Sequence, residues 1–533
     1  MSSKALSKIF SVPFDVMTII VNFLSTESIR NIIEDIKNPL RENMKHTVFP
    51  LDINTIRDFL LADEFENTQL IVGTELQMRI KETEEFFNYP YKGKTIHGKS
   101  KTLRLKNFVS RIRHADVIFN KLSDNDNELL RQIPSLNISN YSGDKFFTGT
   151  HTNLIFTKPA SMARVVVEND MDTLDLSRIT VQNVEMRAYV KNLILFNTCV
   201  NSAKNFGNVH TLDLETTYIS DVSSLGNVHT LNLSNCINIT DVSALEKVHT
   251  LNLSGCWSIT DVSMLGGVHD LNISFIKPRG INRLGGVHKL NLTGCENLTN
   301  GDITELGGVY NLNLTGTSIS NISSLHNVRI LTLMNCSHIV DFSVLGNQDF
   351  LDLEETNISN VSHLGRVRTL RLNGCIKVSD VSALGDVDDL DISTCYNITN
   401  FSMLGNIRSL NISCTRVNDL SFIKTTHTLS ICGCNIKDFS PLKNVKCLDL
   451  SGCNISPMKF PILESVTEID ISSTLMRYTH LLKMKNLRVV YDDKAMYIGT
   501  HEKMLLKAGI KMKQFSMRTE KLISKERELG LYR

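Results

Sequence analysis

Residues 228–247 read VHTLNLSNCINITDVSALEK, and the fold is decided by this stretch. Leu231 and Leu233 alternate with polar Thr230, Asn232 and Ser234, the period-two pattern of a short strand with one dry and one wet face. Five residues after Leu231 comes Cys236, then Ile239, the polar pair Thr240-Asp241, and Val242-Ser243-Ala244-Leu245. Ile239, Val242, Leu245 and Val248 supply the remaining apolar contacts, and the polar pair before Val242 suits a turn or a short 3₁₀ cap.

The unit returns every 19 to 22 residues, about sixteen times, from Leu174-x-Leu176 to Ile469-x-Ile471. A period of this size is that of a solenoid, in which each unit buries its apolar face only against its neighbours. Some 20 residues must hold a strand and two turns, so too few remain for a helix of ten or more residues, and 3₁₀ or extended segments are expected opposite the strands. The Cys236 slot is also filled by Cys256, Cys295, Cys336, Cys375, Cys395, Cys434 and Cys453, and elsewhere by Thr198, Thr217, Thr317, Thr356, Thr415 and Thr474. Both residue types are small donors, able to satisfy backbone groups where the strand turns.

These residues resemble the leucine-rich-repeat family, L-x-x-L-x-L-x-x-N/C-x-L, over about 330 residues. LSNCINITDVS and LSGCWSITDVS are similar to the cysteine-containing subclass found in F-box proteins, although these units are shorter than that subclass normally has. The resemblance implies an α/β-type repeat solenoid, a horseshoe or arc with a parallel β-sheet on the concave face and a 3₁₀ or extended convex side. Arrays in the style of VHTLNLSGC also resemble proteins of amoeba-infecting giant viruses.

Residues 11–33, SVPFDVMTIIVNFLSTESIRNII, place Val16, Ile19, Ile20, Phe23 and Leu24 on one helix face. The segment resembles an F-box, with Val12-Pro13 for Leu-Pro and without the Trp-Arg often found after the second helix. The resemblance implies that Pro13, Phe14, Val16, Ile20, Phe23 and Leu24 contact a Skp1-type adaptor of a ubiquitin ligase. The other reading is a helical cap that covers the solenoid's apolar end. The expected organisation is an F-box-like segment at 8–50, then a linker with degenerate repeats at 51–164. The solenoid follows at 165–475, with a basic helical cap at 476–533. In the middle part, Asp52–Ala62 is expected as a helix, and Leu103-Arg-Leu105, Leu136-Asn-Ile138 and Leu154-Ile-Phe156 as strands.

The outward strand positions are small and polar, Asn232, Asn252, Asn272, Asn291 and Asn313 above all, and read either as a binding palette or as a solubilising ladder. From about residue 330 the columns diversify, and Met334, Phe350, Asp352, Glu354, Arg371 and Asp391 are the candidate contacts for an unknown target protein on the concave face. His210, His229, His249, His269 and His288 form a column two residues before each strand leucine; Tyr310, Arg329, Arg368 and Asp388 follow in the same slot, so no metal is expected there. The tail from 475 carries a net charge of +8 but no interleaved aromatic residues, which favours a solvated cap over a nucleic-acid site.

No phosphate loop, nucleophile elbow or asymmetric catalytic cluster stands out, so no enzyme and no cofactor are expected. The chain has 533 residues, a net charge of +1 and no long apolar run, so no membrane span or secretory leader is expected. Sequons such as Asn232-Leu-Ser234 and Asn252-Leu-Ser254 fall on successive strands, where glycans would bury the face in sugar. With cysteines that swap for threonine, this points to reduced thiols and an intracellular site, cytoplasmic or nuclear, or the cytoplasm of a host cell if the chain is viral.

Overall fold

The computed structural model describes residues 68–72, 76–83, 89–90, 112–119, 135–139, 145–148, 151–156, 160–455, 463–476, 478–493 and 505–513. The F-box-like segment 8–50, the helix expected at 52–62, the strand expected at 103–105 and residues 514–533 of the expected cap lie outside these residues. The chain folds as two units, Met1–Ile259 and Thr260–Arg533.

In the first unit, strands Ile112–Phe119, Ser135–Ser139, Asn153–Phe156, Met171–Asp175, Val190–Ile194, Thr211–Asp213, Thr230–Asn232 and Thr250–Asn252 pair in chain order, all parallel. The register sets Leu174, Leu193, Leu212, Leu231 and Leu251 side by side. Before this ladder Leu76–Thr83 lies antiparallel between Thr68–Val72 and Ile112–Phe119, and Tyr89–Pro90 pairs in parallel with Thr68–Val72. A second parallel sheet joins Lys145–Phe147, Ala160–Val167 and Ile179–Met186. Between 145 and 194 successive strands alternate between the two sheets, so the chain winds as a coil with two walls.

The second unit repeats the rung from Asp270–Asn272 to Glu468–Asp470, with Leu271 beside Leu290, Leu312, Leu331 and onward to Leu448 and Ile469. The ladder runs past the boundary expected at 475. Val489–Tyr491 and Lys511–Lys513 add two parallel strands, which the leucine spacing missed because neither carries Leu-x-Leu. The expected helical cap is reduced, among the described residues, to the turns at Tyr478–Leu481 and 505–507.

Opposite the strands the expected 3₁₀ segments are present, including Ser243–Leu245, Ser263–Gly267, Ser323–Asn327 and Ser402–Asn406. The polar pair ahead of each one sets the turn. Asp241 Oδ1 accepts the Ser243 N–H at 2.9 Å, and Asp261, Asp341 and Asp380 repeat the bond. At one rung tight stacking leaves no room for a side chain, since a Cβ on Gly266 would stand 2.6 Å from the Arg283 carbonyl oxygen. The dry interior is the leucine ladder: Leu212, Leu214, Leu231, Leu233, Leu251 and Leu253 are all buried. Each such side chain stabilises the fold by about 1.5–3 kcal/mol relative to exposure. The described residues therefore form a leucine-rich-repeat solenoid fold.

Candidate functional site

The cysteine and threonine slots are consumed by architecture. Cys236 Sγ donates to the Leu214 carbonyl of the preceding rung at 3.0 Å, and Cys256 to Leu233 at 3.0 Å. Cys295, Cys336, Cys375, Cys395, Cys434 and Cys453 repeat the contact. Threonine bonds within its own rung instead, as Thr217 Oγ1 to Leu214 O at 2.7 Å and Thr317 Oγ1 to Leu314 O at 2.8 Å. Burial pushes the Cys256, Cys395 and Cys453 thiols up to about 12. The thiolate is the nucleophile and the metal ligand, so these thiols are chemically quiet.

The outward asparagines are also occupied. Asn232 Oδ1 accepts the Ser234 N–H at 3.1 Å and its hydroxyl at 2.8 Å. Asn252, Asn272, Asn291, Asn313 and Asn411 accept the N–H two residues on in the same way. Each is an Asx turn that ends its three-residue strand. The column that read as a binding palette is first a row of turn closures.

The candidate target contacts belong to the same face of the second unit. Phe350, on strand Phe350–Asp352, is only 2% exposed, and the Arg371 guanidinium lies 5.4 Å from its ring centre. Asp352 is buried and accepts the Glu354 N–H at 3.0 Å. Asp391 accepts from Ser393 N–H at 2.9 Å and from Asn411 Nδ2 at 2.7 Å. Met334, Glu354, Arg371 and Asp391 are half-buried. Geometry thus brings Phe350 and Arg371 into direct contact, and Asp352 and Asp391 each close their own strand. Pro13, Phe14, Val16, Ile20, Phe23 and Leu24 lie outside the described residues.

The histidine column is a stack. In the first unit His210, His229 and His249 have ring centres 4.7 and 4.6 Å apart, and each Nδ1 faces the hydroxyl of the next threonine. In the second unit His288 lies between His269 and Tyr310, at 4.6 and 4.8 Å. Further on the same column turns ionic: Arg329 grips Asp349 with two bonds, and Arg368 faces Asp388 at 3.4 Å. Among the described residues no group of three His, Cys, Asp or Glu side chains could hold a metal ion, and no helix is long and apolar enough to cross a membrane.

The sequence reading passed over one exposed row. The residue after the Cys/Thr slot is Tyr218, Ile237 and Trp257 on three successive rungs of the first unit, 63%, 50% and 71% exposed. Adjacent strands stand about 4.8 Å apart, so these positions follow one another in a single exposed row. Aromatic residues of this kind anchor protein interfaces. The slot is legible in the repeat itself: on other rungs it holds polar Glu296, Ser337 and Asn357, and in the second unit also Ile376 and Tyr396, 55% and 47% exposed.

No protein-family model matches the chain, and no curated protein is significantly similar to it. Among solved structures it is similar to the functional domain of InlJ from Listeria monocytogenes, described as including a cysteine ladder, at 17% identity over 61% of this chain and 70% of that one, with a TM-score of 0.37. A leucine-rich-repeat protein of Leptospira interrogans aligns at 14% identity over 80% of this chain and 100% of its own, with a TM-score of 0.35. The mouse RP105/MD-1 complex aligns at 13% identity over 74% of this chain and 93% of that one, with a TM-score of 0.42. The parallel register of the rungs establishes the fold without them.

Proposed function

We propose that the chain is a non-catalytic protein-interaction receptor, and specifically the substrate-recognition subunit of an SCF-type ubiquitin ligase. The observation that carries the receptor reading is the exposed row of Tyr218, Ile237 and Trp257 on a scaffold whose inward thiols and strand-face asparagines close turns. Groups engaged in this way are poor candidates for catalysis, whereas a row of exposed aromatic and aliphatic side chains is what a partner surface needs. Met334, Glu354, Arg371 and Asp391, with Phe350 and Asp352 among them, are assigned to the target-binding region of the strand face.

The ligase reading rests on the likeness of residues 11–33 to an F-box. In it Pro13, Phe14, Val16, Ile20, Phe23 and Leu24 dock a Skp1-type adaptor, and the repeats hold the target beside the ligase. Reduced buried thiols and sequons on a packed sheet support an intracellular site. The test is co-precipitation of the full chain with a Skp1-type adaptor, repeated with Leu24→Asp. Adaptor binding that Leu24→Asp abolishes is the expected result. No binding, or binding that ignores the substitution, would leave a scaffold whose first 50 residues only cap the core.

A further inference from the structure

One rung departs from the rule that its neighbours keep. Three residues before the first strand leucine, the second unit has Val268, Val287, Val309 and Val328, then Gln348. The valines are buried, and each N–H closes the turn before it, as Val328 N–H does on the Leu325 carbonyl at 3.1 Å. Gln348 is equally buried, at 2% exposure, but a carboxamide there must be satisfied. Its Oε1 accepts the Gly346 N–H at 2.8 Å, and its Nε2 reaches the His326 carbonyl at 3.4 Å. Gly346 is drawn to φ +127, whereas Gly385 in the matching place of the rung at Leu390 stands at −63.

A cleft of about 480 Å³ lies at this altered turn, lined besides Gly346 and Gln348 by His326, Asn327, Arg329, Asn347, Asp349 and Arg366. Its charge is positive. Arg329 Nε and Nη2 hold the Asp349 carboxylate at 2.9 and 2.6 Å, and Nη1 donates to the Asn347 carbonyl at 3.1 Å. This pairing neutralises Asp349 and fixes the Arg329 plane, leaving two of its five N–H donors for something else. Arg366 adds a second guanidinium, and the two asparagines and His326 add further polar groups around it. Two guanidiniums and several amides lining one cleft supply the kinds of donor that a tetrahedral oxyanion accepts.

We propose that this cleft binds a phosphate-class oxyanion, presented either by a free monophosphate or by a phosphorylated side chain of a partner. The assignment stands apart from the adaptor and the exposed row, and survives the failure of either. Gln348→Val separates site from fold: it restores the residue that neighbouring rungs carry, so it keeps or raises the melting temperature while removing the cleft's distinguishing turn.

The test is calorimetric titration of the full chain, at low ionic strength, with inorganic phosphate, with a phosphoserine peptide and with its unphosphorylated twin. Wild type binds phosphate or the phosphopeptide saturably; Arg366→Ala weakens this about tenfold or more, as loss of a charge-assisted bond does, and Gln348→Val abolishes it without unfolding. A phosphopeptide that binds no tighter than phosphate identifies a free monophosphate as the source. One that binds more tightly, with a silent twin, identifies a phosphoprotein. No binding of any probe by the wild type, or affinity unchanged in either variant, overturns the proposal.

Discussion

Two neighbouring rungs of the first unit close their turns in opposite directions. On the rung of Leu212 and Leu214, Thr217 Oγ1 returns to its own Leu214 carbonyl at 2.7 Å. On the rung of Leu231 and Leu233, Cys236 Sγ reaches back across the gap to that same Leu214 carbonyl at 3.0 Å. The hydroxyl bonds its own rung's carbonyl and touches the next rung's sulfur at 3.4 Å, whereas the sulfur, on its longer bond, reaches the carbonyl of the rung before. Where threonine precedes cysteine the carbonyl has two side-chain donors. Where cysteine follows cysteine, as Cys256 follows Cys236, the Leu233 carbonyl has the thiol and its own rung's backbone N–H.

That difference can be broken by substitution. Cys256→Ala should cost the most, about 2 kcal/mol, because beyond the small cavity that either truncation leaves it removes the one side-chain donor that the described residues give Leu233 O. Cys236→Ala should cost less, about 1 kcal/mol, because Thr217 still serves Leu214 O. Equal losses for the two in chemical denaturation would show that the shared carbonyl is irrelevant. Thr217→Val should cost about 0.5–1 kcal/mol alone, and more when Cys236 is already alanine. A double-mutant cycle with no coupling would separate the two donors.

The smallest effect concerns charge on the same two rungs. The Thr217 rung carries Asp213 where the Cys236 rung carries Asn232, and burial, with Glu215 nearby, raises the Asp213 carboxyl above its ordinary value. A carboxyl raised by folding contributes stability that is complete below its unfolded value, about 3.9, and lost as pH rises through the folded value. Asp213→Asn should therefore stabilise slightly at neutral pH, with the gain fading in acid. Denaturation midpoints of both proteins across that range would check it, and a gain that grows in acid would refute the burial argument.

The leucine period, the inward slot and the absence of room for helices could all be read from residues 228–247, because each is a matter of spacing. Direction was harder to see. Cysteine and threonine alternate in one slot and look equivalent in sequence, yet they bond different rungs. Asn232 and Asn252 looked available to a ligand, but an Asx turn depends on a strand ending after three residues, which spacing does not specify. Gln348 stood in plain view as a broken valine column, yet its consequence, a turn bent around a buried amide, needed coordinates. The strands at 489–491 and 511–513 join the ladder through backbone pairing alone, without the leucines that would have announced them.

The inward sulfurs also make the solenoid its own gauge of breathing. Within residues 260–533, Cys295, Cys336, Cys375, Cys395, Cys434 and Cys453 sit at known heights along the stack, each sealed behind its rung. A water-borne alkylating reagent can reach one only while that rung swings open, so labelling rates report opening free energies site by site. Because a rung leans only on its neighbours, opening should spread inward from an end. The gradient of labelling along this row would then show from which end the molecule comes undone.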